Sequence, residues 1–223
     1  MFRVISISGN KRGDNLLHQC INKDYYAKPK KLSMTYKNKL SIASQYNKYI
    51  EDYDDDPDDT IYVFVHDDVK INCADWAYRV EQSLKTFDVI GLAGIKHVAI
   101  KEPGLWHLMG EREDWRGAVA HPINNKGDIA NYHITSFGPM NERVTLIDGV
   151  FMATTRRVLN AVQFDTDNPA RYHYYDLDFC MQCNREKFKI GVVDIPIIHM
   201  SHGLEEADGE FESGKAWFFD KWQ

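Results

Sequence analysis

Three short segments of the 223-residue chain carry side chains able to do chemistry. The first is His66-Asp67-Asp68, directly after the apolar run Ile61–Val65. Imidazole and carboxylate at the end of a buried strand can hold a divalent cation, and a cation can hold a diphosphate. The same acids can equally cap the loop that follows. The second is Tyr174-Tyr175-Asp176-Leu177-Asp178, with two acids two positions apart at a helix start. That placing suits N-capping, and it also suits a general base that reaches an acceptor hydroxyl. The third is His199-Met200-Ser201-His202-Gly203, after the last apolar run. Its two histidines are a structural pair or metal ligands.

The flanking segments predict the elements that hold these groups. Phe2–Ser8 reads as a first strand, and Asn22–Lys39 as a lysine-rich solvated loop. Ser41–Tyr49 reads as a helix capped by Ser41. Ile61–Val65 is uniformly apolar, the pattern of a strand covered on both faces. Polar residues at the carboxyl end of such a strand stand where open α/β sheets put their ligands. A helix over Trp76–Phe87, capped by Asp75, and a strand over Val89–Ala93 follow. Ile95–Pro139 reads as a long segment that is functional or carries small elements of its own. Val144–Ile147 is a strand that stops at Asp148-Gly149, and Val150–Thr154 continues as an apolar run. A short helix over Arg156–Val162, a helix over Asp176–Phe188 and a strand over Gly191–Ile197 complete the alternation. The expectation is one α/β domain over residues 1–223, with a mainly parallel central sheet and helices on both faces. Cys180 and Cys183 form a CxxC on a helix beside Phe179 and read as core. The C-terminal Trp217, Phe218 and Trp222 read as a docking face for a terminal helix.

Composition narrows the function classes. Hydrophobic residues make up 43% and charged residues 27%, which excludes a disordered or fibrous chain. The net charge of −6 argues against general nucleic-acid binding. Four cysteines are too few for a disulfide scaffold of this length, so a reducing compartment is the default. No apolar run reaches the ~18 residues of a membrane span. A soluble, cytoplasmic protein is expected. The acidic run Glu51–Asp59 lacks the glycine and ligand spacing of a calcium loop and reads as solvated. P-loop, GxGxxG, GxSxG and HExxH motifs do not occur.

The order of the segments resembles the family 2 nucleotide-sugar glycosyltransferases of GT-A fold, and within them the StrF-like branch. The matching pieces are Tyr46-Asn47, VFVHDDV over Val63–Val69 and VIGLAG over Val89–Gly94. A loop with Trp106 and Trp115 follows, then DGVF over Asp148–Phe151 and His173–Phe179. Gly191–Ile195 and His199–Gly203 close the set. The resemblance implies that His66-Asp67-Asp68 takes the place of the DxD motif that holds Mn²⁺ or Mg²⁺ on a sugar nucleotide. Asp68 matches its second acid, His66 stands in for the first, and His199 matches a late histidine that completes the metal site. Ser8, Asp67, Asp148 and Gly149 fall on the donor side. Asp176 becomes the candidate base, with Asp178 and His202 as supporting residues behind the site. The implied activity is metal-dependent, inverting transfer of a sugar from a nucleotide-sugar donor to a hydroxyl. A sugar- or nucleotide-binding module without transfer activity and a metal-dependent phosphohydrolase are the competing readings. Trp106 and Trp115 can stack on a sugar or pack their loop down. The acceptor is open among a glycan, a protein and a small molecule. Nucleic acid is the minority reading, resting on the lysines of residues 23–39 alone.

Overall fold

The computed structural model describes residues 1–9, 16–21, 23–99, 105–123, 131–201 and 209–223. Its strands begin with β1 (Phe2–Ile7), β2 (Lys30–Thr35), β3 (Ile61–Val65), β4 (Val69–Ile71) and β5 (Val89–Gly91). They continue with β6 (Ala93–Ile95), β7 (Trp115–Pro122), β8 (Tyr132–Gly138) and β9 (Glu142–Val144). The last are β10 (Leu146–Ile147), β11 (Phe151–Thr155), β12 (Ile190–Val192) and β13 (Ile197–His199). The helices are α1 (Leu16–Cys20), α2 (Ile42–Asp52), α3 (Trp76–Ser83), α4 (Arg156–Ala161), α5 (Tyr175–Arg185) and α6 (Gly209–Trp222).

A seven-stranded sheet runs β2-β1-β3-β11-β5-β12-β9. A six-stranded sheet runs β10-β6-β7-β13-β4, with β8 beside β7. All five residues of β3 are buried, as their uniform apolarity requires. Helix α2 packs on β1, α4 on β11, and α5 on β10 and β12. The Ser41 hydroxyl caps α2 by accepting from the Ser44 amide at 3.1 Å.

The central sheet is mixed where a mainly parallel one was expected. β1 runs parallel to β2 and β3, and β12 to β5. β11, however, is antiparallel to both β3 and β5. Parallel entry needs a long crossover. The chain instead reaches β11 from β10 across the short Asp148–Val150 turn, at the carboxyl end of β3, so it runs the opposite way.

Two further departures have plain causes. The lysine-rich stretch contains β2, in which Leu32 and Met34 pack on the core. Lysine on an exposed edge strand blocks edge-to-edge pairing, so charge here marks an edge as well as a loop. The expected 89–93 strand breaks at Leu92 into β5 and β6, which belong to different sheets. The Leu92 carbonyl accepts from Ala118 at 3.1 Å. Beside it Gly117 has φ +96, and a Cβ there would overlap the Leu92 carbonyl oxygen. The long 95–139 segment carries elements of its own, the paired strands β7 and β8.

The C-terminal aromatics dock α6, as expected. Phe218 is fully buried, and the Trp222 indole N–H donates to Asp178 Oδ1 at 2.8 Å. Lys221 Nζ lies 2.7 Å from the same oxygen. Cys180 and Cys183 are buried free thiols in the core. Among the described residues no helix is long and apolar enough to cross a membrane.

Asp178 is only 1% exposed, so its charge depends on Lys221. Lys221→Ala strands a buried carboxylate and is expected to cost about 2 kcal/mol, at the low end for breaking a buried pair because the lysine is partly solvated. The check is thermal unfolding at neutral pH, with a fall in Tm of several degrees as the expected outcome.

Candidate active site

The junction of the two sheets carries the chemistry. β3 of the first sheet ends at Val65, and β4 of the second begins at Val69, so His66-Asp67-Asp68 is the strap between them. The His66 amide donates to the Val150 carbonyl at 3.1 Å, and the Met200 amide to the Asp68 carbonyl at 3.0 Å. These bonds hold the strap against the 148–150 turn and against the end of β13, where His199 pairs opposite Val69.

His66, Asp68 and His199 place ligand atoms within 4.8 Å of one another, the group among the described residues able to hold a metal ion. His199 Nε2 lies 3.3 Å from Asp68 Oδ1, an ion-pair distance. It is buried and has no hydrogen-bond partner among the described residues. A buried nitrogen held at ion-pair distance from a carboxylate and beside a second imidazole is the donor chemistry of a divalent cation site. Electrostatics agree. Burial keeps the His66 imidazole neutral by pushing its pKa down, and His199 adds to this. Burial would raise Asp68, but His199 and His66 outweigh it and hold the carboxyl below its ordinary range. Burial would lower His199, and Asp68 reverses the direction.

On the other side of the strap stands the Asp148–Val150 turn. Asp148 Oδ1 accepts from the Val150 amide at 2.8 Å, and Oδ2 from the Trp106 indole N–H at 2.9 Å. Gly149 is clamped by the first turn of α5. Its amide donates to Asp176 Oδ2 at 2.7 Å. A Cβ on Gly149 would come within 2.8 Å of Tyr175 Cζ and 2.9 Å of Asp176 Oδ2. No side chain fits there. The chain enters α5 through Tyr174, at φ 64 in the left-handed region that costs a non-glycine residue of order 1–3 kcal/mol. The ring of Tyr174 is held between Phe211 and Phe218 of α6, at 5.3 and 5.7 Å.

Asp176 sits at a helix N-terminus and accepts two backbone N–H groups, from Gly149 and Leu177. Both favour the charged form. Burial nevertheless pushes its pKa up to about 7, and the nearby Asp148 adds to the rise. A half-buried carboxylate poised near neutrality has the acid–base character of a general base.

One cavity of about 280 Å³ gathers these groups, with His66, Asp148, Asp176, His199 and Trp106 in its wall. Tyr172, Tyr174 and Phe211 line it as well. Asp67 is half-buried and belongs neither to the metal-capable trio nor to the wall. Ser8 is buried at the end of β1, its backbone tied to Thr35 and Asn38, and is not among the lining residues. Trp115 packs its loop, with rings of Trp106 and Phe137 at 6.2 and 6.3 Å, and does not face the cavity. Two residues along a helix are about 200° apart, so with Asp176 on the cavity Asp178 faces away, toward Trp222 and Lys221. His202 lies outside the described residues. Tyr175, to which the sequence reading gave no role, is 4% exposed, and its hydroxyl lies 3.0 Å from His66 Nε2. Burial holds its pKa well above 10, so the phenol keeps its proton.

Comparison with known proteins decides the family. The model of the glycosyltransferase-like family matches residues 22–220. The chain belongs to that family. No curated protein matches this glycosyltransferase-like chain. Among solved structures, A197 from STIV aligns over 93% of this chain and 98% of its own, at 13% identity and a TM-score of 0.45. The mannosyltransferase PcManGT from Pyrobaculum calidifontis was solved in complex with GDP-Man and Mn²⁺. It aligns over 90% of this chain at 10% identity and a TM-score of 0.51, and the chain spans 58% of that protein. That likeness is one of fold, and the fold of this glycosyltransferase-like chain is of the GT-A type.

The raised pKa of Asp176 has a stability cost of definite sign. The unfolded chain sheds this proton near pH 3.8 and the folded chain near 7. The unfolded state therefore binds fewer protons between those values, and the fold loses stability as pH rises through that window. Asp176→Asn removes the cost. Its Tm is expected to match the wild type at pH 4 and to exceed it at pH 8 by a few degrees, on the order of 2 kcal/mol, in paired thermal melts.

Proposed function

We propose that this protein is a metal-dependent, inverting glycosyltransferase that moves a sugar from a nucleotide-sugar donor to an acceptor hydroxyl. The observation that carries the reading is the shared cavity, with His66 and His199 of the metal-capable trio on its wall together with the Asp176 carboxylate. The residues at 1–223 act in this reading as one GT-A domain. The motif order from Val63 to Gly203 supports the StrF-like branch.

His66, Asp68 and His199 would hold a divalent cation, which when bound neutralises the charge that builds on the departing diphosphate. Two imidazoles with one carboxylate suit Mn²⁺ better than Mg²⁺, which prefers oxygen ligands throughout. Asp148 fixes the Trp106 ring through its indole N–H, and both face the donor sugar. Asp176 takes the acceptor proton through a carboxylate held in place by the Gly149 amide. The acceptor oxygen then attacks the anomeric carbon as the bond to the diphosphate breaks. One displacement inverts that centre. The described cavity residues include no lysine or arginine beside Asp148 and Asp176, which argues against an anionic acceptor.

The test is a panel of nucleoside diphosphates in thermal melts, each with and without Mn²⁺. A native-state ligand at about a hundredfold its Kd raises stability by ~2.7 kcal/mol, or roughly 5–10 °C for a chain of this size. The expected result is a shift for one nucleotide that requires Mn²⁺ and is lost in Asp68→Ala. Silence across the whole panel removes the donor site.

The pH profile supplies a separate check. Transfer should rise with pH as the base loses its proton, with a midpoint at or below about 7 because a bound cation favours the charged carboxylate. Asp176→Asn should keep donor binding and lower turnover by roughly 10²–10⁴-fold. Full turnover in that variant sinks the base assignment.

A further inference from the structure

Tyr175 is enclosed within the site without belonging to the trio or serving as base. Its hydroxyl meets two groups at once, His66 Nε2 at 3.0 Å and the Gly149 carbonyl oxygen at 3.4 Å. A phenol has one proton to give and lone pairs to receive. A carbonyl oxygen can only accept. Both contacts are satisfied at once only when the phenol proton goes to Gly149 and the contact with His66 is made by an imidazole N–H that the phenol oxygen accepts.

The consequence falls on the imidazole. A neutral histidine has one N–H, and the other ring nitrogen keeps its lone pair. With the proton fixed on Nε2, the free lone pair belongs to Nδ1. Tyr175 cannot swing away to relax this, because its ring packs on Tyr46 at 5.9 Å and its hydroxyl lies against the space a Gly149 Cβ would fill.

We infer that Tyr175 is a positioning residue that locks His66 in the Nε2–H tautomer and so turns the Nδ1 lone pair toward Asp68 and His199. The relay runs from His66 Nε2–H to the Tyr175 oxygen, and from the Tyr175 hydroxyl to the Gly149 carbonyl. It ties the trio to the same glycine whose amide holds Asp176. Orienting partners of this kind fix the ring of a ligating histidine, and their loss costs 10–100-fold in metal affinity. The inference rests on the cation reading of the preceding section for its purpose, though not for its geometry.

The first readout needs no metal and no activity. Two-dimensional ¹⁵N–¹H NMR of the histidine rings in the metal-free wild type, with His66 assigned from the spectrum of His66→Gln, reports which nitrogen is protonated. The Nε2–H tautomer is expected, with a shift to mixed tautomers in Tyr175→Phe. The second readout is Mn²⁺ titration followed by the electron paramagnetic resonance of free Mn²⁺. Tyr175→Phe should bind about tenfold more weakly than wild type. Protonation of His66 at Nδ1 in the wild type overturns the inference, and that result stands even where Tyr175→Phe does not fold. A folded Tyr175→Phe with the wild-type tautomer and undiminished Mn²⁺ affinity overturns it as well. A wild type that shows Nε2–H but takes up no Mn²⁺ leaves the hold of Tyr175 on His66 supported and removes the cation reading instead.

Discussion

The backbone of Gly149 lies against the first turn of α5 with no room for a side chain, and the rest of the site is arranged around that contact. The Gly149 amide donates to Asp176, and its carbonyl accepts from Tyr175. The residue before it anchors Trp106, and the residue after it takes the His66 amide on its carbonyl. One turn thus sets the height of Asp176, the face of the cavity and the end of β3. A bulkier residue at position 149 would separate α5 from the turn and disperse all three.

This close approach is costly, and α6 offsets the cost. Tyr174 is held at positive φ to bring α5 in at the required angle. Asp176 is kept half-buried with its pKa near 7. Both conditions oppose folding. They persist because Phe211 and Phe218 enclose the Tyr174 ring from α6. Helix α6 is fastened in turn by Trp222 and Lys221 on Asp178, and by Lys221 on Asp165. The aromatic C-terminus therefore supports the site from behind, and Phe211 also enters its wall.

What was legible in the sequence follows from how local each signal is. β3 could be read because five consecutive apolar residues leave one interpretation, and Ser41 because its cap bond lies within one helical turn. The direction of β11 could not be read, since an apolar run looks the same whichever way it enters a sheet. The hairpin of β7 and β8 was hidden because glycine, proline and histidine interrupt its alternation. His66, Asp68 and His199 came from the order of motifs, which says nothing of convergence; their meeting depends on β13 lying beside β4. The opposite facing of Asp176 and Asp178 is available from the helical period alone. Tyr175 was out of reach, because its partner His66 is 109 residues away in the chain.

In the proposed reading His66 stands where a DxD motif has its first acid, and that alters the charge of the trio. Asp68 brings one negative charge, and the imidazoles bring none while both are neutral. In the proposed reading a divalent cation seated there keeps a net positive charge, whereas two carboxylates would cancel it. A residual positive charge draws a diphosphate more strongly, at the expense of affinity for the cation alone. The His199–Asp68 pair sharpens the point. Asp68 stabilises the protonated form of His199, so cation binding must displace a proton there. In that reading cation and donor are drawn to the site together, each supplying charge that the other lacks, and the trio by itself would be a weaker site than one built from two acids.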